Sequence, residues 1–294
     1  MGVLLLFFDG VGIAPAAEWN PITEFPGQPF PIAESDNVMK SGLLIHTDAT
    51  LGIEGLPQSA TGQTTLLTGK NAARLEGRHV NAFPTTALRT LITAHSLFRR
   101  LRQRGLHPLF ANAYHSGYFA RRHSRFSVST WSWLAAGIQY RTLEDLQEGT
   151  AVSHDLTNEF MNRLGFQVPV RRPSQAGRIL VELLREYDFV FGEYILTDVI
   201  GHRQDYSEAV RRLGQIRELF TSILDHLDDA AHQVILTSDH GNLEDLSTNT
   251  HTRNPVPTIL WGKPSRNTDI EVRSLEDIAP LILRLLPAEK SSGN

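Results

Sequence analysis

Asp9 closes the apolar run Val3–Phe8, in Phe-Phe-Asp9-Gly10-Val-Gly12. Asp198 follows the run Phe189–Ile195, in Asp198-Val-Ile-Gly201-His202, and Asp239-His240-Gly241-Asn242 follows Val234–Thr237. His251, in Asn249-Thr-His251-Thr-Arg-Asn-Pro255, precedes Thr258–Trp261. A single Asp-Gly reads as a turn and a single loop histidine needs no explanation. Three strand ends that each deliver ionisable groups, with glycine close behind, are a different matter, because ligands of open α/β sheets gather at the carboxyl ends of strands. Adjacent Asp239 and His240 at such an end are costly to bury unless a positive species sits nearby. The chain has no cysteine, so any metal must be held through nitrogen and oxygen. Three Asp and three His fit one or two divalent ions. Two ions about 3.5–4 Å apart clamp the attacking and leaving oxygens of an in-line displacement. That chemistry suits phosphate esters, whose uncatalysed hydrolysis is extremely slow.

A hydroxyl-rich segment offers a nucleophile. In Gly55-Leu-Pro-Gln-Ser59-Ala-Thr61-Gly62-Gln63-Thr64-Thr65, the hydroxyls stand just before or within a candidate helix. Ser59 falls at the first turn, where free backbone N–H groups favour an anion. A serine there is equally a simple cap, and the segment alone leaves Ser59, Thr61 and Thr64 open.

The elements that must position these groups alternate. Strands are expected at Val3–Phe8, Pro108–Ala111, Phe189–Ile195, Val234–Thr237 and Thr258–Trp261, and helices over Thr90–Arg104, Asp155–Leu164, Ser174–Tyr187, Ser207–Ala230 and Ser274–Leu286. Short apolar runs alternating with helical patterns indicate an α/β layered fold. Between residues 113 and 172 the alternation weakens and aromatic and Arg residues gather, which reads as a small cap inserted into a core made of 1–112 and 173–294. Only the tail Lys290–Asn294 reads as disordered.

The length of 294 residues and an apolar fraction of 41% suffice for a large buried core. A net charge of −4 argues against a general nucleic-acid surface. No apolar run approaches the ~20 residues of a membrane span, and the expected location is the cytoplasm. Only four of the 28 basic residues are Lys, so anion recognition falls to planar guanidinium groups. The run Arg99-Arg100-Leu-Arg102-Gln-Arg104 reads as a solvated helix face. The run Tyr114-His115-Ser-Gly-Tyr118-Phe-Ala-Arg121-Arg122-His123-Ser-Arg125 mixes rings and cations as a phosphate-sugar pocket does. Trp131 and Trp133 are expected in the cap interior.

Taken together, these motifs resemble the metalloenzyme branch of the alkaline phosphatase superfamily, especially cofactor-independent phosphoglycerate mutases and phosphopentomutases. Asp9-Gly10-Val11-Gly12 matches that family's first-strand Asp-Gly-x-Gly, and Ser59-Ala60-Thr61-Gly62-Gln63 with Gly69 matches its nucleophile segment. Asp198-Val-Ile-Gly201-His202, Asp239-His240-Gly241-Asn242-Leu243-Glu244 and His251-Thr252-Arg253-Asn254-Pro255-Val256-Pro257 match three more, in the family's order. The resemblance selects Ser59 as nucleophile and implies a three-layer alkaline-phosphatase-like core, a mostly parallel sheet with helices on both faces. It further implies Asp198, His202 and His251 around one metal, and Asp9, Ser59, Asp239 and His240 around a second, the ions being Mn2+ or Zn2+. Glu244 and Asn242 are expected to support the site rather than ligate. Gln63 stands where the family has histidine, and is counted with His115, Arg121, Arg122 and Arg125 as a candidate substrate contact.

The expected activity is phosphoryl transfer on a small phosphorylated metabolite through a phospho-Ser59 intermediate, as a phosphomutase or a phosphatase. A metal-binding module without turnover is disfavoured because every ligand position is filled. A phosphodiesterase is a further alternative within the same superfamily. A sulfatase is disfavoured, because Ser59 is followed by Ala-Thr-Gly-Gln rather than a Ser-x-Pro-x-Arg context. No nucleic-acid or membrane partner is expected.

Overall fold

In the strand Gly2–Phe8 every residue is buried, and alternate side chains supply two different cores. Val3, Leu5 and Phe7 face one side of the sheet, and Leu4, Leu6 and Phe8 the other, as the two-residue period of a strand requires. The computed structural model describes residues 1–25, 29–35, 37–120, 125–262 and 270–288. Along them run β1 (Gly2–Phe8), β2 (Leu43–Thr47), α1 (Ser59–Thr68), α2 (Ala72–Glu76), α3 (Thr86–His95), α4 (Leu97–Gln103) and β3 (Pro108–Phe110). Then come α5 (Val128–Leu134), α6 (Leu143–Glu148), α7 (Glu159–Arg163), α8 (Pro173–Glu186), β4 (Phe189–Tyr194) and α9 (Leu196–Arg203). The chain continues through α10 (Tyr206–His226), β5 (His232–Thr237), β6 (Val256–Gly262) and α11 (Ile278–Leu285). The expected disordered tail, Lys290–Asn294, lies outside the described residues.

The six-stranded sheet has the order β2-β6-β5-β1-β4-β3. Strands β3, β4, β1 and β5 are parallel, while β6 runs against both β5 and β2. On one face Val3, Leu5 and Phe7 join Leu66 of α1, Leu88 of α3, Phe98 of α4 and Ile282 of α11. On the other, Leu4, Leu6 and Phe8 meet Leu180 of α8 and Leu213 and Phe220 of α10. Each such fully buried side chain contributes about 1.5–3 kcal/mol relative to exposure. The result is three layers, an α/β fold of the alkaline phosphatase kind.

Because β6 is antiparallel, its first residue lies at the carboxyl edge of β5, with Thr237 opposite Thr258. The segments after β1, β4 and β5 and the segment before β6 therefore share one edge. Strand β2 also ends there, with Thr47 opposite Val256, and leads into α1.

Several local expectations change. The helix expected over Thr90–Arg104 is two helices, broken at Ser96 (ψ 132°), whose hydroxyl donates to Ser132 O at 2.7 Å. The helix expected from Asp155 starts only at Glu159. The Asp155 carboxylate accepts from the hydroxyls of Ser153 and Thr157 and from the N–H of Asn158 and Phe160, and so builds its own turn. Leu156 and Asn158 in that turn have positive φ. Within 113–172, Tyr114, Val128 and Trp133 pack into the core of the α1 face, whereas Ala113, Leu146, Met161 and Val168 form a small cluster of their own. Trp133 is thus part of the main core, not of a cap interior. Among the described residues no helix is long and apolar enough to cross a membrane.

Candidate active site

Asp9 is the first residue beyond β1, and its N–H donates to Tyr194 O at the end of β4 (3.0 Å). Gly10 next to it has φ +70°, and a Cβ there would lie 2.8 Å from Asp198 Oδ1. Glycine is needed both for the turn and for the closeness of the two carboxylates. Gly10 N–H in turn donates to Asp239 Oδ1 at 3.3 Å. A similar approach brings in the hydroxyl. A Cβ on Gly62 would sit 2.8 Å from Asp239 O, so α1 packs its first turn directly on the end of β5. Ser59, the first residue of α1, reaches His240 Nε2 at 3.1 Å. The other first-turn donors are partly consumed, since Val80 O accepts from both Ala60 and Thr61 N–H.

All seven residues expected around metals come together. His240 Nε2 lies 3.3 Å from Asp9 Oδ1 and 3.5 Å from Asp239 Oδ2. Asp198 lies 3.4 Å from both His202 Nε2 and His251 Nε2, and those two nitrogens are 3.1 Å apart. The rings of His240 and His251 stack with centroids 3.7 Å apart. Ligand atoms of Asp9, Asp239 and His240 fall within 4.8 Å of one another, as do those of Asp198, His240 and His251. His240 stands between the two groups.

The tautomers follow from the backbone. His202 Nδ1 lies 2.8 Å from Asn249 O, and His251 Nδ1 lies 2.8 Å from Pro57 O. A carbonyl only accepts, so each Nδ1 carries the proton and each Nε2 presents a lone pair. Two lone pairs facing each other beside a carboxylate repel unless a positive species joins them. Asp9 Oδ1 is likewise buried without a hydrogen-bond donor. Burial, reinforced by the charge of Asp239, raises Asp9 well above the usual carboxyl range. Burial, with the charge of Asp198 adding to it, pushes Asp239 up to about 7. Asp198 is also buried, which raises it, but the neighbouring imidazoles of His251 and His240 and the hydrogen bond from Asn242 win and hold it at about 2. An acidic, imidazole-bearing cluster of this kind fits divalent cations through nitrogen and oxygen.

A surrounding layer holds these groups still. Glu244, fully buried, accepts from Gly12 N–H (2.7 Å), Asn242 N–H (2.8 Å), Thr252 Oγ1 (2.5 Å) and Asn254 Nδ2 (3.1 Å). Asn242 Nδ2 donates to Asp198 Oδ1 at 2.7 Å. Hydroxyls that the motifs did not single out also take part. Thr197 Oγ1 donates to Asp9 O at 2.6 Å, and Ser238 Oγ accepts from Val11 N–H at 2.9 Å.

The candidate substrate contacts fare differently. Gln63 is buried and its amide donates to Asp239 Oδ2 (3.1 Å) and Asp9 Oδ2 (3.4 Å). Its N–H groups thus orient two of the clustered carboxylates. His115 lies outside the cluster, its ring 5.0 Å from that of Phe166. Arg125 is exposed, and no hydrogen bond joins it to the clustered side chains. Arg121 and Arg122 lie outside the described residues.

The fold is α/β, and its sheet edge gathers carboxylates and imidazoles that fit divalent cations. Residues 167–290 match the family model described as Metalloenzyme superfamily. More particularly, the chain has homology to cofactor-independent phosphoglycerate mutases. It is 30% identical over 133 residues to the 2,3-bisphosphoglycerate-independent phosphoglycerate mutase of Moorella thermoacetica, a match covering 40% of this chain and 26% of that protein. The enzyme of the same name from Haloquadratum walsbyi is 33% identical over 115 residues, 36% of this chain and 23% of that protein. The match thus spans about a quarter of the length of these curated relatives. Among solved structures, the PH0037 protein from Pyrococcus horikoshii superposes with a TM-score of 0.63 at 16% identity, covering 100% of this chain and 98% of that one. The alkaline phosphatase from the Antarctic bacterium TAB5 superposes with a TM-score of 0.58 at 15% identity, covering 98% and 99%. The two structural likenesses are likenesses of fold.

Proposed function

We propose that this chain transfers the phosphoryl group of a small phosphate monoester through Ser59, with two divalent ions in the carboxylate–imidazole cluster. The observation that carries this reading is Ser59 Oγ at 3.1 Å from His240 Nε2, against a cluster whose lone pairs face inward. Asp9, Asp239, His240 and Ser59 would hold one ion, and Asp198, His202 and His251 the other. Bound there, Mn2+ or Zn2+ would ease loss of the serine proton and offset the charge of the phosphoryl oxygens.

The chain's own residues then supply position. Among the described residues, His240 is the only imidazole within hydrogen-bond distance of Ser59 Oγ. Packing of Gly62 on Asp239 fixes the serine relative to the carboxylates. Ser59 Oγ forms the new bond to phosphorus as the bond to the alcohol oxygen breaks, and the alcohol leaves with a proton. Phospho-Ser59 is then cleared by water, which is phosphatase chemistry, or by a second hydroxyl of the same alcohol, which is mutase chemistry. Admission of water to the site decides between them.

The test is a panel of phosphorylated metabolites given to metal-loaded protein, scored separately for free phosphate and for isomer formation. Turnover by the wild type and none by Ser59→Ala supports the reading. Full turnover by Ser59→Ala excludes it.

A further inference from the structure

Beside the cluster lies a cavity of about 530 Å³, within the range of small-molecule sites. Two of its lining residues come from the sheet edge that carries the cluster. Glu193, in β4, pairs with Phe7, two residues before Asp9, and Ile195 stands three residues before Asp198. Glu193 and Gln63, whose amide holds Asp9 and Asp239, also border one small void together with Phe7 and Ser129. The rest of the wall comes from residues 114–166.

The wall has two characters. One side is apolar and aromatic, with Phe160, Met161, Leu164 and Phe166. Phe160 and Leu164, one turn apart on α7 and just beyond it, are 44% and 49% exposed, and Ile195 is 37% exposed. Large apolar side chains left open around a concavity mark a place where something apolar sits. The other side carries hydrogen-bonding groups. Glu193 is buried (side chain 5% exposed) with Oε1 3.4 Å from His154 Nε2, and Ser127 bonds Ser129 and Thr130 (2.9 Å each). Glu193, a buried carboxyl group where the cavity meets the sheet edge of the cluster, disfavours a second anion there.

We infer that this cavity receives the alcohol part of the phosphoester, and that this part is a flat apolar or aromatic group. The inference rests on the phosphoryl-transfer reading above and names its substrate class. It sets the chain apart from enzymes whose substrate carries a carboxylate beside the phosphate.

Aryl esters leave more easily than alkyl esters, so the comparison must hold leaving-group acidity constant. The probes are 2-(4-hydroxyphenyl)ethyl phosphate and ethyl phosphate, with metal-loaded wild type and Leu164→Glu, a partly exposed position. In the wild type kcat/KM is expected to favour the ring-bearing ester by at least ~10-fold, and in Leu164→Glu that ratio is expected to fall towards one. In parallel, the free alcohol 2-(4-hydroxyphenyl)ethanol is titrated into both proteins by calorimetry, a readout independent of turnover. Its affinity is expected to drop at least ~10-fold in Leu164→Glu. If neither ester turns over but the alcohol binds the wild type and not the variant, the cavity assignment stands and the phosphoryl-transfer reading falls. If both esters turn over with equal kcat/KM, or Leu164→Glu changes neither the ratio nor the alcohol affinity, the cavity assignment is overturned and phosphoryl transfer is left intact.

Discussion

Glu244 is the residue whose replacement best separates support of the site from direct action in it. Its Oε2 accepts from two backbone N–H groups, Gly12 and Asn242, and its Oε1 from two side chains, Thr252 and Asn254. The side chains can adapt, since a hydroxyl can turn and an amide can flip. The backbone donors cannot. Glu244→Gln is therefore expected to keep its oxygen on Gly12 and Asn242 and turn its NH2 towards Thr252 and Asn254. It loses only the charge on those bonds, a loss of about 1–2 kcal/mol, since charge-assisted bonds are worth roughly twice neutral ones. Glu244→Leu strands two buried backbone donors at about 1–3 kcal/mol each, giving a loss of about 2–6 kcal/mol. Gly12 and Asn242 flank Asp9 and the Asp239–His240 pair, so the leucine variant should also bind Mn2+ or Zn2+ about 10–100-fold more weakly. Urea denaturation and calorimetric metal titration measure the two effects. A leucine variant as stable as the glutamine variant, with wild-type metal affinity, would refute the reasoning.

Three further outcomes follow from the same geometry. Gln63→Leu removes two donors from Asp9 and Asp239 and is expected to weaken metal binding by about 10–100-fold; unchanged affinity in a calorimetric titration would contradict that role. Gly62→Ala puts a methyl group 2.8 Å from Asp239 O, so α1 must shift and carry Ser59 with it. A loss of about 1–3 kcal/mol and of most activity is expected, and a stable, fully active variant would count against the packing. For pH, the folded pKa of Asp239 is raised to about 7 and that of Asp9 is raised as well. In metal-free protein their contribution to stability is complete below about pH 4 and lost as pH rises through about 7. Asp198, held at about 2, acts the other way, its contribution being lost as pH falls from about 4 towards 2. Metal competes with the retained protons, so the rise in Tm on adding Mn2+ to chelator-treated protein should be larger at pH 8 than at pH 5. Equal rises at both pH values would tell against the assigned ligands.

The end of β1 was legible because Gly2–Phe8 is an apolar run stopped by Asp9, as burial on both faces demands, and those of β4 and β5 because each short, mainly apolar run leads within four residues to an ionisable group. Strand β2 was not legible. Leu43–Thr47 is a half-buried edge strand, and five residues with a histidine among them give no clear alternation. The break at Ser96 is invisible in sequence because its cause, the carbonyl of Ser132, lies 36 positions away. The convergence of the carboxylates and histidines was readable because each motif is local and the sheet edge does the rest. The proton positions on His202 and His251 were not, since they depend on the carbonyls of Asn249 and Pro57, which any residue would supply. Glu193 and His154 form no spaced motif, and only the packing of residues 114–166 against β4 brings them together.

The role of Ser59 remains the claim on which the functional reading turns. Metal-loaded protein incubated with a phosphate monoester that it turns over, quenched in acid and digested, is to be mapped by mass spectrometry for phosphopeptides. Phosphate on Ser59 in the wild type, and on no residue in Ser59→Ala, is the expected result. Wild-type protein that turns the ester over with no label at Ser59, or with label on another side chain, would contradict it.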